Sequence, residues 1–558
     1  MTDHQQSFDL RTQPWVQVRR LDGVAEQLSL YDLFARAHEL HGVTGDLPTQ
    51  AFAVYRLLLA LLHRGLPADG RKPVERWRAL WDNGRLPHQE IERYLERYAD
   101  RFDLLHPITP FYQVAELRTA KDITAGLTSL IADVPTGHQY FTTRAGEGLE
   151  RIDYAEATRW VVHLQAYDPS GIKSGAVGDD RVKAGKGYPI GTSWVGGFGG
   201  VLIEGRSLFE TLLLNLVLTD PNGIPTSGPN DRPTWERAHL GPGIEDRGGA
   251  GPAGVADLLT WQSRRVRLVN DGAGVTGVVV ANGDPLAPQN MHVVEPMCGW
   301  RRSQPQEKKL KIPLVYMPRP HRPGRSVWRG LAALLPQQEF PDPHAGARDS
   351  LSPGVLEWIR SLEDEDAVDA SLPLRTRVVG MTYGSNNSVV EEVVDDAVLL
   401  LTAVVANSSL RAAAVRAVEE ADATVSALAN LAGNLAIAAG GETEPARTEA
   451  RELGFSRLDN PYRTWVAALG PSTDLVWHRG RWHRELRTHV GRLGADLIGD
   501  AGIPAWVGRE RQGRRIDAGI AEAWFSAALR KAVPLAYPPA ADSTHEDHPP
   551  DTNQGSAA

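Results

Sequence analysis

The chain has 558 residues, which is too long for one ordinary hydrophobic core and predicts two or three domains. Its composition, with 42% hydrophobic and 23% charged residues, is typical of a soluble globular protein. A formal net charge of −9 argues against a free-standing DNA-binding protein, although it allows a local basic face. A single cysteine, Cys298, excludes a disulfide or a cysteine-based zinc site within the chain.

The first hundred residues read as two short strands over 8–23 followed by helices at 29–41 and 48–64, with helical periodicity continuing to about 102. The polar start of the chain lacks the apolar segment of a signal peptide. The longest apolar run, at 397–406, is too short to cross a bilayer. We therefore expect a cytoplasmic protein that has no membrane contact.

Residues 131–200 form the most distinctive segment, because it is long, polar and rich in glycine, lysine and arginine around one predicted helix at 154–166. Compact domains seldom carry such loops unless the loops bind something. Glycine lets a backbone approach a ligand closely, and nearby cations favour an anionic ligand. A nucleotide or a nucleic-acid backbone is the first candidate. Further along, 206–218 predicts a helix, and 259–271 with 275–284 predict a β-hairpin.

Near residue 386 the composition changes, and alanine, leucine, valine, glutamate and arginine recur at helical spacing from there on. Four long helices are predicted at 390–407, 408–439, 472–498 and 515–532, with a shorter helix near 445–453. We predict an α+β protein with three parts: a mixed N-terminal domain over 1–380, a C-terminal four-helix bundle over 381–535, and a disordered tail over 536–558.

No catalytic motif is recognisable. The AGKG sequence at 184–187 lacks the upstream glycine spacing of a P-loop, and no GxGxxG follows a predicted strand. His38 and His41 belong to no HExxH pattern. We expect neither an enzyme nor a bound metal or cofactor. Two alternatives stay open: an enzyme that binds a nucleotide or phosphate through the glycine-rich region 171–187, and a purely structural scaffold.

Basic residues concentrate between Arg301 and Arg329, where nine lysines or arginines accompany one glutamate. In a chain of net charge −9 this asymmetry favours a surface that attracts phosphate groups. Two further basic stretches, at 478–492 and 509–515, fit solvated helix faces equally well.

Several segments occur together in an order that resembles a known family: FDLRTQPWVQVR (8–19), HPITPFYQ (106–113), GGFGG (196–200), LTWQSRRVRL (259–268), PRPH (318–321) and the terminal bundle. Over about residues 8–535 they resemble the CasA family, the large subunits of type I-E CRISPR Cascade. The resemblance implies a non-catalytic subunit of an RNA-guided antiviral complex. Such a subunit recognises the protospacer-adjacent motif (PAM) in double-stranded DNA, promotes duplex opening and R-loop formation, and recruits a helicase-nuclease. Its other partners are the remaining Cascade subunits with the CRISPR RNA.

The resemblance also implies contact residues. The glycine loop that lies against the PAM matches Ser170, Gly171, Ile172, Lys173, Ser174 and Gly175, and a lysine from a basic hairpin joins it, with Lys308, Lys309 and Lys311 as candidates. The wedge that splits the first base pairs matches Asn386 and Asn387, although the glutamine of relatives is missing. The loop that anchors the subunit near the 5′ handle of the guide RNA matches Phe141, Thr142, Thr143, Arg144 and Gly146. Some relatives carry extra cysteines at metal-type spacing, whereas only Cys298 is present here, so we expect this region to fold without zinc.

Overall fold

The computed structural model describes residues 6–66, 70–134, 147–247, 251–336, 348–511 and 513–537. The chain divides into two units, the first comprising Met1–Val415 with Arg463–Ser472 and the second Arg416–Tyr462 with Thr473–Ala558. The sequence predicts three domains, at 1–380, 381–535 and 536–558. These boundaries state which parts of the chain fold independently, and they remain a prediction.

Unit 1 combines short helices with several small antiparallel sheets. Its helices up to residue 406 are α1 (Leu30–Arg36), α2 (Pro48–Gly65), α3 (Pro73–Asn83), α4 (His88–Arg97), α5 (Glu147–Glu150), α6 (Tyr154–Tyr167), α7 (Leu208–Leu214), α8 (Val255–Leu259), α9 (Gln304–Leu310), α10 (Leu331–Leu334), α11 (Gly354–Asp364) and α12 (Thr402–Ala406).

The described strands of unit 1 form five sheets, with orders β2-β1-β3, β4-β5, β7-β8, β10-β9-β11 and β13-β12-β6. The strands are β1 (Val16–Arg20), β2 (Ala25–Leu28), β3 (Leu40–Val43), β4 (Lys173–Ser174), β5 (Lys186–Gly187), β6 (Gly200–Glu204), β7 (Arg264–Asn270), β8 (Val275–Asn282), β9 (Trp300–Arg302), β10 (Tyr316–Pro318), β11 (Ser350–Leu351), β12 (Pro373–Tyr383) and β13 (Val390–Leu401).

Helix α2 lies at the centre of unit 1 because its sequence is apolar on nearly every face, which suits a helix that is buried all round. It packs against α4, α6 and α8. Its one buried arginine, Arg56, forms a two-pronged ion pair with the buried Glu295, with N–O distances of 2.9 and 2.8 Å. The indole of Trp194 donates to the same carboxylate at 2.7 Å, so both buried charges have partners.

Strands β12 and β13 form the longest hairpin in the described part of the chain, and β6 pairs with the other edge of β12. Arg377 on β12 links the three strands, because its guanidinium contacts Glu204 of β6 at 3.0 Å and Asp395 of β13 at 2.6 Å. Cross-strand pairs of this kind stabilise a sheet and fix its register. The hairpin therefore holds its tip, residues 384–389, in a defined place.

The prediction of a helix at 390–407 is wrong, because Val390–Leu401 is strand β13 and, within that range, only Thr402–Ala406 is helical. The predicted helix at 29–41 ends early as well, since Leu40–Val43 joins a sheet as β3. The shorter helix predicted near 445–453 is instead a long one, Thr443–Ala467.

Unit 2 is built mainly from long helices. The described elements from residue 408 onward are α13 (Ser408–Ala439), α14 (Thr443–Ala467), α15 (Leu475–Gly499), α16 (Ile503–Val507) and α17 (Ala518–Ala532), with the short strands β14 (Arg509–Arg511) and β15 (Arg514–Ile516). The first residues of α13 and the last residues of α14 belong to unit 1. Trp482 of α15 is fully buried, meets the ring of Tyr462 edge-on at 5.7 Å and donates to the carbonyl of Ala417 at 3.0 Å. Gly494 lets α15 approach α17 closely, since a Cβ there would overlap the ring of Phe525. The predicted α+β class is confirmed.

Two further observations concern the described residues as a whole. None of their helices is long and apolar enough to cross a membrane. No group of three or more histidine, cysteine, aspartate or glutamate side chains in this part of the chain is arranged to hold a metal ion.

Candidate functional site

The segment after α6 is anchored by a buried carboxylate. Asp153 caps the start of α6 by accepting from the amide of Glu156, and the helix ends at Tyr167. The next residue, Asp168, is buried and accepts from Arg264 of β7 at 2.5 Å. Arg264 also donates to the carbonyl of Pro169 at 3.1 Å. The start of the loop that contains residues 170–175 is thus fixed to strand β7.

Lys173 takes part in the same buried cluster. Its ammonium lies 2.6 Å from Asp168, and its side chain is only 15% exposed. Burial lowers the pKa of Lys173 from its ordinary value, while the neighbouring Asp168 opposes that shift. Lys173, which the resemblance places against DNA, is therefore paired with a carboxylate inside the protein. To contact a phosphate, its ammonium group would have to leave Asp168.

Next to Lys173, the loop exposes backbone at Gly171 and one apolar side chain, Ile172. Gly171 has a φ of 146°, which favours glycine, and Ile172 beside it is 58% exposed. Strands β4 and β5 then pair, and Gly175 lies so close to Gly185 that a Cβ would come within 2.6 Å of its backbone. Two exposed lysines, Lys183 and Lys186, occupy the return strand and its turn. The segment is a short two-stranded hairpin with exposed positive charge in β5 and in the turn before it.

The tip of the β12–β13 hairpin carries the two predicted wedge residues. Asn386 and Asn387 are exposed, and both have positive φ values, 58° and 54°. Asparagine tolerates this left-handed conformation better than most residues, which explains two consecutive asparagines at a tight turn. The tip is closed by the amide of Gly384, which donates to the carbonyl of Val389 at 2.9 Å.

A cavity of about 290 Å³ brings these two elements together. Its lining includes Pro169–Ser174 and Ser388–Val390, which directly follows the two asparagines of the hairpin tip. The hydroxyl of Tyr383 on β12 donates to the carbonyl of Tyr167 at 2.6 Å, so it ties the hairpin to the end of α6. The structure therefore joins the 170–174 loop to the hairpin that carries the asparagines, two segments more than 200 residues apart in the sequence.

One histidine that lines this cavity is uncharged near neutral pH. His163 of α6 is 1% exposed and hydrogen bonds to the hydroxyl of Thr49 at 3.0 Å. Burial lowers the pKa of His163 to about 3. Neither His163 nor the paired Lys173 offers a free positive charge to a ligand in the cavity, so an anion there would be met mainly by backbone groups.

The three candidate lysines lie elsewhere in unit 1. Helix α9 connects the antiparallel strands β9 and β10. Lys308 and Lys309 are exposed in the last turn of α9, and Lys311 is exposed in a left-handed conformation at its end, with a φ of 57°. None of the three lines the cavity beside Ser170.

The remaining predicted set, Phe141, Thr142, Thr143, Arg144 and Gly146, lies outside the described residues. Sequence reasoning missed three residues that shape the site: Asp168, Arg264 and Tyr383. The aspartate could have been noticed, because it stands directly before Pro169 and five residues before Lys173. Nothing local in the sequence marks Arg264 or Tyr383 as partners of this loop.

Known proteins share the sequence pattern and the fold of this chain. The model of the family described as CRISPR-associated protein Cse1 matches residues 9–493. The chain belongs to the Cse1 family. This is the family of CasA, the large subunits of type I-E Cascade, and the resemblance drawn from the sequence is confirmed. CasA/Cse1 of Thermus thermophilus is 30% identical over 337 residues, which cover 60% of this chain and 61% of that relative.

Solved Cse1 structures share the fold over almost the whole chain. Cse1 of Thermobifida fusca is 45% identical with a TM-score of 0.88, covering 96% of this chain and 100% of that one. Cse1 of Acidimicrobium ferrooxidans is 28% identical with a TM-score of 0.79, covering 96% and 99%. A chain of a structure titled CRISPR RNA-guided surveillance complex has a TM-score of 0.61 at 22% identity, covering 88% and 99%, which shows the fold alone.

Proposed function

We propose that this Cse1-family chain is the large subunit of a type I-E Cascade, in the cytoplasm with the other subunits and the CRISPR RNA. In that role it recognises the PAM in double-stranded target DNA, promotes duplex opening and R-loop formation, and recruits the helicase-nuclease. It carries out no chemistry itself. One observation supports this assignment above the others: the 170–174 loop and the β12–β13 hairpin tip meet at a single cavity.

The geometry suits reading and opening a duplex at one place. A minor groove about 6 Å wide admits backbone more readily than bulky side chains, and Gly171 supplies such a backbone next to Ile172. Unstacking base pairs costs a few kcal/mol per step. An exposed rigid turn such as Asn386–Asn387, beside the groove contact, can hold the separated bases while guide pairing follows.

The geometry of region 171–187 does not favour the enzyme alternative. A phosphate-binding P-loop needs a strand, a glycine-rich turn and a helix whose N-terminus faces the phosphates. Region 171–187 is instead the short hairpin of β4 and β5. No observation favours the scaffold alternative over a binding role, since the loop exposes Lys183 and Lys186.

The proposal is tested by a gel shift that mixes this chain with guide-loaded Cascade lacking its large subunit. Matched duplexes with and without a permissive PAM are compared. We expect PAM-dependent binding with the wild type and a loss of at least about tenfold, or about 1.4 kcal/mol, with Ile172→Glu, because a carboxylate at the exposed tip repels the phosphates.

The matched control is Ile108→Glu, which makes the same change at a residue that is 63% exposed and outside the cavity. It should bind like the wild type. If the wild-type chain restores no PAM-dependent binding, the proposed function fails. If Ile172→Glu binds as tightly as Ile108→Glu, the 170–174 loop is not the PAM contact.

A further inference from the structure

A second cavity, of about 790 Å³, lies in unit 1 between the end of α2, the start of α3, one face of α4 and the loop 225–229. Its volume falls in the range of about 300–1,000 Å³ that is usual for ligand sites. Five arginines line it: Arg64, Arg71, Arg76, Arg93 and Arg97. Among the described residues of the lining, Glu90 is the one carboxylate. We call this cavity and its five arginines the basic groove.

Helix α4 presents three of its polar side chains to the groove at helical spacing. Glu90, Arg93 and Arg97 occur at positions i, i+3 and i+7, which lie on one face of a helix. Arg93 pairs with Glu90 at 2.9 Å, yet its side chain is 74% exposed. Arg97 is exposed as well. Both guanidinium groups are therefore accessible from solvent at the mouth of the groove.

The deeper wall is held by fixed polar contacts. Arg64, near the end of α2, makes a two-pronged ion pair with Glu236 at 2.9 and 2.8 Å, and Tyr94 donates to the same carboxylate at 2.6 Å. Arg76 donates to the carbonyl of Leu66 at 3.0 Å. The groove thus has a preorganised wall, which lowers the entropy cost of binding a ligand.

A histidine beside the arginines is kept uncharged, mainly by its burial. Burial lowers the pKa of His63, which also lines the groove, to about 3, and the charges of Arg76 and Arg64 contribute to that shift. The end of α2 and the start of α3, which border the cavity, carry dipoles of opposite sign, so the guanidinium groups set its charge.

We propose that the basic groove binds the phosphodiester backbone of a nucleic-acid strand without regard to sequence. Arginine suits phosphate because its planar fork can donate two parallel hydrogen bonds. The five arginines come from three segments, namely α2, the start of α3 with the residues before it, and α4, so the charge is spread in a way that fits a chain of phosphates better than a single anion. This contact is independent of the PAM site and of the proposed function.

The test is fluorescence anisotropy with the full chain and a short fluorescein-labelled oligothymidylate, with labelled oligouridylate and a labelled DNA duplex in parallel. The double variant Arg93→Glu with Arg97→Glu should raise Kd by at least about tenfold for one or more of these probes. The slope of log K against log salt should become less negative by about 1.4 for a single strand, which corresponds to two phosphate contacts. The probe most affected identifies the kind of strand.

Two controls make the result decisive. Arg19→Glu with Arg85→Glu changes the net charge equally at exposed positions outside the groove and should leave Kd within about twofold. Arg93→Lys with Arg97→Lys keeps the charge and should retain most of the binding. Circular dichroism checks that each variant is folded.

The proposal is overturned if the Arg93/Arg97 glutamate variant binds all three probes like the wild type, or if the Arg19/Arg85 variant weakens binding equally. Because the oligothymidylate contains no PAM, failure of the proposed PAM contact would leave this measurement unchanged.

Discussion

At the scale of single residues, Asp168 decides where the 170–175 loop lies. One carboxylate compensates two buried cations, Lys173 and Arg264, at the point where α6 ends. A buried charge is tolerated only when it is paired, so the three residues form one interdependent cluster. Loss of the carboxylate would leave both cations without a counter-charge and would weaken the attachment of the loop to β7, where the contacts of Arg264 with backbone carbonyls would remain.

We expect Asp168→Asn to lower the free energy of unfolding by about 3 kcal/mol, the usual cost of breaking a buried ion pair. Hydrogen exchange followed by mass spectrometry should show faster exchange in α6 and the following loop. Asp180→Asn is the control, because Asp180 is exposed on the same loop, and it should change stability by less than about 0.5 kcal/mol. Equal exchange rates in both variants would contradict the anchoring role of Asp168.

These residues also show what the sequence could and could not predict about the site. Its composition and order indicated the 170–175 segment correctly as a glycine-containing loop. They could not indicate that Lys173 points inward, because its partner Asp168 is oriented by Arg264, which lies 96 residues further along the chain. A side chain held by long-range pairing carries no local signal.

At the scale of elements, the β12–β13 hairpin is the clearest case in which the sequence misled. Apolar residues recur in pairs near 389, 393 and 397, a spacing close to the helical period, so the segment reads as a helix. The strand forms because Val390–Leu401 pairs with Pro373–Tyr383 along its length. Valine favours strands, and tertiary pairing overrides the helical periodicity. The α2 and α6 helices were predictable because their apolar runs are long and local.

The tip of this hairpin allows a test that separates side chain from backbone. Glycine adopts positive φ freely, so Asn386→Gly with Asn387→Gly should remove both amides while the turn keeps its shape. In reconstituted Cascade we expect duplex opening, followed by 2-aminopurine fluorescence, to slow by about tenfold, which is about 1.4 kcal/mol. Affinity for a PAM-containing duplex under conditions that block opening should stay within about twofold.

An unchanged opening rate in the glycine variant would remove the asparagine amides from the wedge role. Tyr383→Phe provides a comparison within the same element, because it deletes the hydrogen bond to Tyr167 at a cost of about 1 kcal/mol and leaves the tip residues intact.

At the scale of the whole molecule, charge is unevenly distributed. The net charge is −9, yet the β4–β5 hairpin, α9 and the basic groove each expose several cations. Long-range repulsion from the net charge lowers the affinity of the isolated chain for DNA, whereas local patches bind phosphate at short range. The assembled complex is therefore the proper context in which to measure the role of the α9 lysines.

We expect one of three single variants, Lys308→Ala, Lys309→Ala or Lys311→Gly, to reduce the salt dependence of PAM-duplex binding by the assembled complex. Glycine is chosen at 311 because that residue has a φ of 57°. The slope of log K against log salt should become less negative by about 0.9 for the lysine that contacts a phosphate, and it should not change for the others. Equal slopes for all three variants and the wild type would show that none of these lysines meets the DNA backbone.

The one cysteine has a practical consequence for observing these events. Cys298 is fully buried, and burial raises the pKa of its thiol well above the ordinary value, so it stays protonated and shielded from alkylating reagents. Maleimide dyes should therefore not label the native chain. A cysteine introduced at the exposed Ile172 would be the one reactive thiol of unit 1, and a fluorophore placed there could report approach of DNA to the loop in real time without prior removal of Cys298.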